Sequence, residues 1–356
     1  MSDHQVAAPA GESPAIGGAA PGQRRSRWAA IGRLIGSRPV RWGFVAVTVG
    51  LGGYAVADEW AKVRAALASL GFLTVAGFLT VVAALLSVLI GLFATMLVWR
   101  RLLAALGSPL PVRVAARIMF VGQLGKYLPG SVWPVLAQME LGTAHQVPRP
   151  RSASASVLTM LLSLLSGLLT ALIALPFAGG PTPYLWALLA TPVLLVGLHP
   201  KVLNAVLARL LRLARRPPLE QPLTGRAIAG ALGWAFASWF LFGVQIWLLA
   251  IRLGAPDGKA ALLAIGGFAF AWSIGFLVVF APAGAGVREV LLIATLGPVL
   301  GVGAATAVAL VSRALMTIGD LVTAGVAAGF TRRPGAGSTK QARPSRPDGE
   351  LPLITS

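Results

Sequence analysis

Long apolar blocks alternate with short polar segments along the chain. The block from Leu70 to Trp99 contains no charged residue and ends at Arg100-Arg101. About 20 apolar residues are enough for a helix to cross the ~30 Å hydrocarbon core of a bilayer. The other apolar segments predicted to cross or enter the membrane are residues 42–57, 154–177, 184–198, 227–251, 260–280 and 304–330. The pattern therefore predicts an all-α integral membrane protein.

One conspicuously polar segment, Gly122–Glu140 (GQLGKYLPGSVWPVLAQME), interrupts this pattern. It contains a helix break at Pro129-Gly130 and a charged residue, Lys126, at membrane depth. Hydrocarbon offers no partner to freed backbone groups, so such a segment must line a cavity or be buried in protein. A second broken segment, Ala281–Glu289 (APAGAGVRE), follows later. Interrupted segments of this kind mark binding sites in transporters.

Loop charge predicts the orientation. Lys and Arg are dense in both tails, at Arg100-Arg101 and in the loop 201–226. The positive-inside rule then places both termini in the cytoplasm. This gives three parts: a disordered basic tail (1–41), a polytopic transmembrane domain (42–330) and a second disordered tail (331–356).

Two cytoplasmic termini require an even number of crossings. We predict six full spans and two Gly/Pro-broken re-entrant hairpins, at residues 117–136 and 260–303, which makes about eight membrane elements. Within the basic loop, Val202–Leu213 is predicted to form an amphipathic helix on the membrane surface.

A weak internal repeat appears at an offset of 153 residues, which places Gly122 over Gly275. In residues 70–177 and again in residues 227–330, a Gly/Pro-broken polar motif lies between two long spans. By the charge argument the paired spans run in opposite directions. The sequence thus predicts a possible inverted repeat, as found in secondary transporters.

Composition narrows the function. A net charge of +19 would favour a nucleic-acid partner in a soluble protein. Here the basic residues lie in tails and juxtamembrane loops, where anionic lipid headgroups account for them. The chain has no cysteine and only three scattered histidines, so we expect neither a metal nor another cofactor. The motifs of serine hydrolases, P-loop NTPases and zinc peptidases are absent, so we predict that the protein is not an enzyme.

The candidate substrate-binding residues are the polar, charged and helix-breaking residues of the two broken segments and the last span. They are Lys126, Tyr127, Pro129, Gly130, Trp133, Gln138, Glu140, Gly284, Gly286, Arg288, Glu289, Arg313 and Asp320. The three basic residues among them are expected to bind a lipid phosphate. The three acids would balance charge, couple to protons or bind a cationic headgroup.

Each candidate also has a structural interpretation. Lys126 could snorkel to the interface, and Arg288 and Glu289 could pair there. Arg313 and Asp320 lie two turns apart on one helix face, and an intramembrane charge needs a partner, so they could form buried ion pairs.

Four other features also have an alternative interpretation. The turn Gly284–Gly286 could instead offer backbone N–H groups to an anion at a helix N-terminus. Tyr127 and Trp133 could be interfacial belt aromatics. Gln138 could be a helix-packing hydrogen bonder.

The motifs GKYLPGSVW and PAGAGVREVLL, together with the Arg-bearing final span, resemble the transmembrane domain of the lysylphosphatidylglycerol synthase/flippase family. The resemblance covers roughly Leu70 to Phe330. It implies a membrane domain that moves lipids, notably aminoacylated phosphatidylglycerol, between leaflets. In that family the aminoacyl transfer belongs to a separate soluble domain, which we do not expect here. Polyprenyl-linked lipids and glycolipids therefore remain open as substrates.

The sequence predicts a flippase-like lipid translocase of the bacterial plasma membrane. Its partners would be membrane phospholipids or a lipid-linked substrate, with a partner enzyme also possible. Two alternatives remain: a polyprenyl-phosphate-dependent glycosyltransferase using the acidic pair Asp58-Glu59, and a non-catalytic scaffold for a lipid or glycan enzyme.

The predicted orientation can be tested by thiol labelling, because the native chain has no cysteine. A cysteine placed at Arg215, in the basic loop, should react with a membrane-impermeant maleimide only after the cells are opened. Efficient labelling in intact cells would overturn both the orientation and the inversion of the repeat.

Overall fold

The structure is a computed structural model that describes residues 60–128, 132–177, 191–213, 222–278 and 284–329. Within these ranges every regular element is helical. The predicted span at residues 42–57, both tails and most of the predicted span at residues 184–198 lie outside the described residues.

The helices are numbered in chain order. The first group is α1 (Trp60–Ser69), α2 (Val75–Ala105), α3 (Val112–Gln123) with a 3-10 turn at Leu124–Tyr127, α4 (Trp133–Thr143) and α5 (Arg149–Phe177). Two shorter helices follow, α6 (Thr191–Gly197) and α7 (Pro200–Leu213). The second group is α8 (Gly225–Arg252), α9 (Asp257–Leu277), α10 (Val287–Leu300) and α11 (Val302–Gly329).

Threonine caps begin the first long helix of each group. The Thr74 hydroxyl accepts a hydrogen bond from the backbone N–H of Gly77 at 3.1 Å, and Thr224 accepts one from Ala227 at 3.3 Å. Each cap satisfies one of the N–H groups that a helix start leaves without a partner. A threonine cap followed by an apolar run therefore explains locally why α2 and α8 begin where they do.

Among the described helices, five are long and apolar enough to cross a membrane, namely α2, α5, α8, α9 and α11. The bent pair α6–α7, with an angle of 65° between its helices, could supply a sixth span. A multi-pass helical membrane protein is therefore confirmed. We predicted α9 as one arm of a hairpin, whereas its length allows a full crossing. The number of membrane elements and the re-entrant hairpins stay predictions.

The predicted amphipathic segment forms a helix, α7. Leu203, Leu207 and Leu211 recur at helical spacing and are buried, while Arg209 and Arg212 are exposed. This separation of faces is what an interfacial helix requires. Its position on the membrane surface stays a prediction.

The two groups of helices share one order and one set of packed pairs. An offset of 153 residues takes Arg149, the first residue of α5, to Val302, the first residue of α11. Helix α5 packs against α9, and α11 packs correspondingly against α3. The most extensive helix contact joins the first long helix of each group, α2 and α8. These pairings support the predicted repeat.

Glycines allow the long helices to approach closely. A Cβ atom at Gly243 of α8 would lie 2.3 Å from a side-chain carbon of Ile265 and 2.6 Å from its Cα atom. A Cβ atom at Gly91 of α2 would similarly meet the ring of Phe242 at 2.6 Å. Small residues at such crossings are the usual basis of helix packing in membranes, where the hydrophobic effect does not drive association.

Replacing Gly243 by leucine should separate α8 from α9 and destabilise the fold by about 1–3 kcal/mol or more, as expected of an overpacked core. Gly233 lies on the same helix, and no atom lies within 4 Å of the place that a Cβ atom would take there, so Gly233→Leu is the matched control. The melting temperatures of the purified variants, with unfolding monitored by size-exclusion chromatography, measure the difference in stability. Equal melting temperatures for the two variants would contradict the packing.

Candidate functional site

Helix α11 carries two charges that reach the two broken segments. The first is Asp320, whose Oδ2 atom lies 2.6 Å from the Nζ atom of Lys126 on the 3-10 turn. The Asp320 side chain is only 5% exposed, whereas that of Lys126 is 28% exposed. Lys126 is thus anchored by an ion pair, which the snorkelling interpretation of this residue did not anticipate.

Tyr127 completes this first contact. Its hydroxyl donates a hydrogen bond of 2.6 Å to the same Oδ2 atom of Asp320. The Lys126 Nζ atom also lies 5.6 Å from the centroid of the Tyr127 ring. A single carboxylate therefore holds two consecutive residues of the first broken segment. A buried carboxylate with two such donors meets the requirement that buried charges be paired and hydrogen-bonded.

The second charge on α11 is Arg313, seven residues before Asp320. Its Nη1 atom lies 3.2 Å from the Oε1 atom of Glu289 in the second broken segment. The other carboxylate oxygen of Glu289 accepts a hydrogen bond of 2.7 Å from the backbone N–H of Gly286. This is the carboxylate half of a capping box at the start of α10. Because Glu289 already occupies that N–H group, the predicted backbone anion site at Gly286 is disfavoured.

The two contacts have opposite polarity. Helix α11 supplies the acid to the first broken segment and the base to the second. Arg313 and Asp320 share a helix face, as their spacing predicts, yet each pairs with a different partner. The structure thus supports the ion-pair interpretation for both residues.

Arg288 enters the site through a gap made by two glycines. A Cβ atom would lie 2.4 Å from the Arg288 Cγ atom at Gly275 and 2.8 Å from its Cδ atom at Gly284. Gly284 also has φ +72°, a conformation that suits glycine. The guanidinium carbon lies 5.5 Å from the ring centroid of Phe268, within the range of a cation–π contact.

A cavity of 160 Å³ opens between the two broken segments. Lys126 and Arg288 both line it, as do Gly275 and Gly284. The other lining residues are Leu92, Thr95, Gln123, Leu128, Pro134, Thr159, Met160, Ser163, Ser238, Trp239, Phe242, Trp272, Phe276, Val278 and Met316. The cavity therefore joins two cationic side chains to a largely apolar wall.

The aromatic part of this wall was not predicted from the sequence. The rings of Trp272 and Phe276 stack with centroids 5.3 Å apart, and Trp239 meets Trp272 edge-on at 5.1 Å. The indole N–H of Trp239 donates to the Ser166 hydroxyl at 3.0 Å, which fixes the ring. Trp272 and Phe276 are four residues apart on α9, but aromatic residues at that spacing are equally typical of lipid-facing helix surfaces. The sequence therefore offered no distinguishing signal.

Three predicted site residues on α4 lie outside the cavity lining. Glu140 pairs with Arg149, with N–O distances of 3.0 and 3.1 Å. Trp133 is 38% exposed. Gln138 is buried, donates to the Met119 sulfur at 3.2 Å and accepts from a serine hydroxyl of α5. Gln138 therefore acts as the packing hydrogen bonder of our alternative interpretation.

Two further predicted site residues, Pro129 and Gly130, lie outside the described residues. Of the remaining candidates, the structure brings Lys126, Tyr127 and Asp320 into one contact and Gly286, Glu289 and Arg313 into another. Arg288 and Gly284 lie at the cavity between them.

The helices and charges that form this arrangement fall within one family match. Over residues 41–323 the chain matches the family model described as the lysylphosphatidylglycerol synthase TM region. The protein belongs to this family. The resemblance seen in the two broken motifs is thereby confirmed, and a lipid-related function in the membrane follows from it. A comparison with curated proteins found no match.

Removing one member of the Arg313–Glu289 pair should cost stability, because it leaves a charge without its partner. Arg313→Met should unfold more readily, with a loss below the roughly 3–5 kcal/mol typical of fully buried pairs, since Arg313 is 30% exposed. The double variant Arg313→Met/Glu289→Gln should recover most of that loss, because the glutamine oxygen can still accept from Gly286.

The matched control is Arg149→Gln, which breaks the more exposed pair with Glu140 and should change stability by less than about 1 kcal/mol. The folded yield and the melting temperature are to be measured for all three variants. A double variant no more stable than Arg313→Met would show that the pair is not a coupled unit.

Proposed function

We propose that the protein translocates an anionic lipid between the two leaflets of the membrane and binds the lipid phosphate in the cavity. The observation that carries this proposal is the combination of Lys126 and Arg288 with an aromatic wall, between two broken segments. A guanidinium and an ammonium are the side chains that bind phosphate most readily. The aromatic and aliphatic wall suits the glycerol and upper acyl region of a lipid.

The size of the cavity supports a headgroup site. Pockets that enclose a drug-sized ligand are typically about 300–1,000 Å³, and this cavity measures 160 Å³. A whole phospholipid does not fit in that space, whereas a phosphate with its adjoining polar group does. The acyl chains would remain in the bilayer while the headgroup passes through the protein.

Binding would act by exchange of ion-pair partners. In the structure Lys126 is held by Asp320, so an incoming phosphate must compete with that carboxylate. Tyr127 keeps its hydrogen bond to Asp320, and the carboxylate is therefore not left without a donor when Lys126 turns to the ligand. Substrate binding would thus break the ion pair between Lys126 and Asp320 and leave α11 in contact with the first broken segment through Tyr127.

The second pair would respond to the opposite charge. Glu289 is bound to Arg313 at 3.2 Å, and a cationic headgroup would compete for the same carboxylate. An aminoacylated phospholipid carries both a phosphate and an ammonium group, so it could engage both pairs. The polarity of the two contacts supports this class of substrate, with other anionic and polyprenyl-linked lipids as alternatives.

Alternating access would follow from the repeat. The two halves share their helix order and their packed pairs, and we propose that they run in opposite directions in the membrane with both termini in the cytoplasm. Each broken segment would then face one leaflet, and each would be controlled by its own ion pair with α11. The protein would act in the plasma membrane, alone or with a partner enzyme.

The glycosyltransferase alternative depends on Asp58-Glu59, which lie outside the described residues. Among the residues that the structure does describe, no observation favours it or the scaffold alternative over translocation.

Lipid transfer in reconstituted liposomes tests the proposal. With fluorescent phosphatidylglycerol and a quencher outside, the native protein should make lipid of the inner leaflet accessible. Lys126→Ala should reduce transfer to the level of protein-free liposomes, because the phosphate loses its ammonium partner, and Lys126→Arg should retain part of it. Arg149→Gln, which changes a pair away from the cavity, should transfer normally. Full transfer by correctly folded Lys126→Ala protein would end the headgroup role of this residue.

A further inference from the structure

A second groove lies apart from the cavity, between the end of α2 and the start of α8. Its volume is 370 Å³. The residues that line it are Leu97, Arg100, Arg101, Ala104, Ala105, Thr224, Arg226, Ala227 and Trp234. None of them lines the cavity, and among these described residues there is no acid. The groove therefore concentrates three guanidinium groups on one helix pair.

Arg101 has a dedicated place in this groove. A Cβ atom at Gly230 of α8 would lie 2.2 Å from the Arg101 Nε atom, 2.4 Å from Cζ and 2.6 Å from Nη2. The guanidinium thus lies against the backbone of α8, in space that only a glycine leaves open. Arg101 as a residue is exposed, so its charge remains accessible from outside.

The other two arginines complete the basic side. The Nε atom of Arg100 donates to the Leu110 carbonyl at 2.8 Å, which orients this half-buried side chain. Arg226 is exposed one turn before Gly230 on α8. The Thr224 hydroxyl accepts the capping hydrogen bond from Ala227, so its own O–H can still donate to a ligand beside the guanidinium groups.

The remaining lining is apolar and partly exposed. Trp234 lies one turn after Gly230 and is 42% exposed, and Leu97 and two alanines of α2 lie beside it. Tryptophan is typical of the membrane–water interface, where one side of the ring is apolar and the other is wet. Along one face of α8 the side chains thus change from the charged Arg226, past Gly230, to the largely apolar ring of Trp234.

We propose that this groove binds the phosphodiester of an anionic glycerophospholipid, with its acyl chains along Leu97 and Trp234. Planar guanidinium groups match the phosphate oxygens in a paired geometry. The predicted orientation places this end of α2 at the cytoplasmic leaflet, which is the leaflet rich in anionic lipid. The bound lipid would join α2 to α8, the helix pair with the most extensive contact in the fold. The site does not depend on whether the protein transports lipid.

Lipid-dependent thermal unfolding of the purified full-length protein in neutral detergent tests the site. Phosphatidylglycerol should raise the melting temperature, because a ligand that binds only the folded state stabilises it. Phosphatidylcholine and inorganic phosphate should not. Arg101→Gln/Arg226→Gln should weaken phosphatidylglycerol binding by about tenfold or more, since charge-assisted hydrogen bonds are lost. Equal stabilisation by inorganic phosphate would overturn the lipid assignment.

Two controls separate the groove from general surface charge. Arg209→Gln/Arg212→Gln removes two exposed charges from α7 and should leave phosphatidylglycerol binding unchanged; an equal loss there would overturn the site. Gly230→Leu keeps every charge but displaces the Arg101 guanidinium, so it should weaken binding, while Gly233→Leu on an open face of α8 should not. Native affinity in both Gly230→Leu and the Arg101/Arg226 variant would overturn the proposal.

Discussion

The need to pair every charge inside the membrane governs this structure. An unpaired Arg or Asp at the centre of a span costs roughly 2.5–3.5 kcal/mol even by the most lenient measure, and α11 contains one of each. Asp320 and Arg313 find their partners on the two broken segments. The same contacts that neutralise α11 therefore hold both segments in place. A change at either ion pair acts on the fold and on the cavity together.

Glycine makes these contacts geometrically possible. A Cβ atom at Gly125 would lie 2.8 Å from backbone atoms of Trp133 and Pro134, so the arms of the first segment can meet only because the side chain is absent. At the second segment, Gly275 of α9 and Gly284 enclose the stem of Arg288 in the same way. Close backbone packing lets protein cover the polar groups that a helix break exposes, as the membrane interior requires.

The parts of the site that the sequence predicted are those where charge or a helix break interrupts an apolar block. Lys126, Arg288 and Asp320 are visible for that reason. The way these charges pair is not visible, because a spacing of seven residues shows that Arg313 and Asp320 share a face but does not say which neighbour each one meets. Glu140 satisfied the same criterion and yet pairs with Arg149 outside the cavity. The wall of Trp239 and Trp272 carries no signal, since a cavity-facing aromatic and a lipid-facing one look alike in an apolar helix.

The cavity and the groove differ in whether their cationic side chains already have an acidic partner. In the cavity, Lys126 already has a carboxylate partner that is 5% exposed, so an anion that binds Lys126 competes with that carboxylate. The competing carboxylate belongs to the helix that holds the segment, so the proposed exchange of partners would link binding to movement. In the groove, Arg101 lies against Gly230 of α8, and there is no acid among the described lining residues. An anion can therefore bind there without breaking an ion pair with a lining residue. The arrangement in the cavity suits a lipid that is transported, and the arrangement in the groove suits a lipid that remains bound.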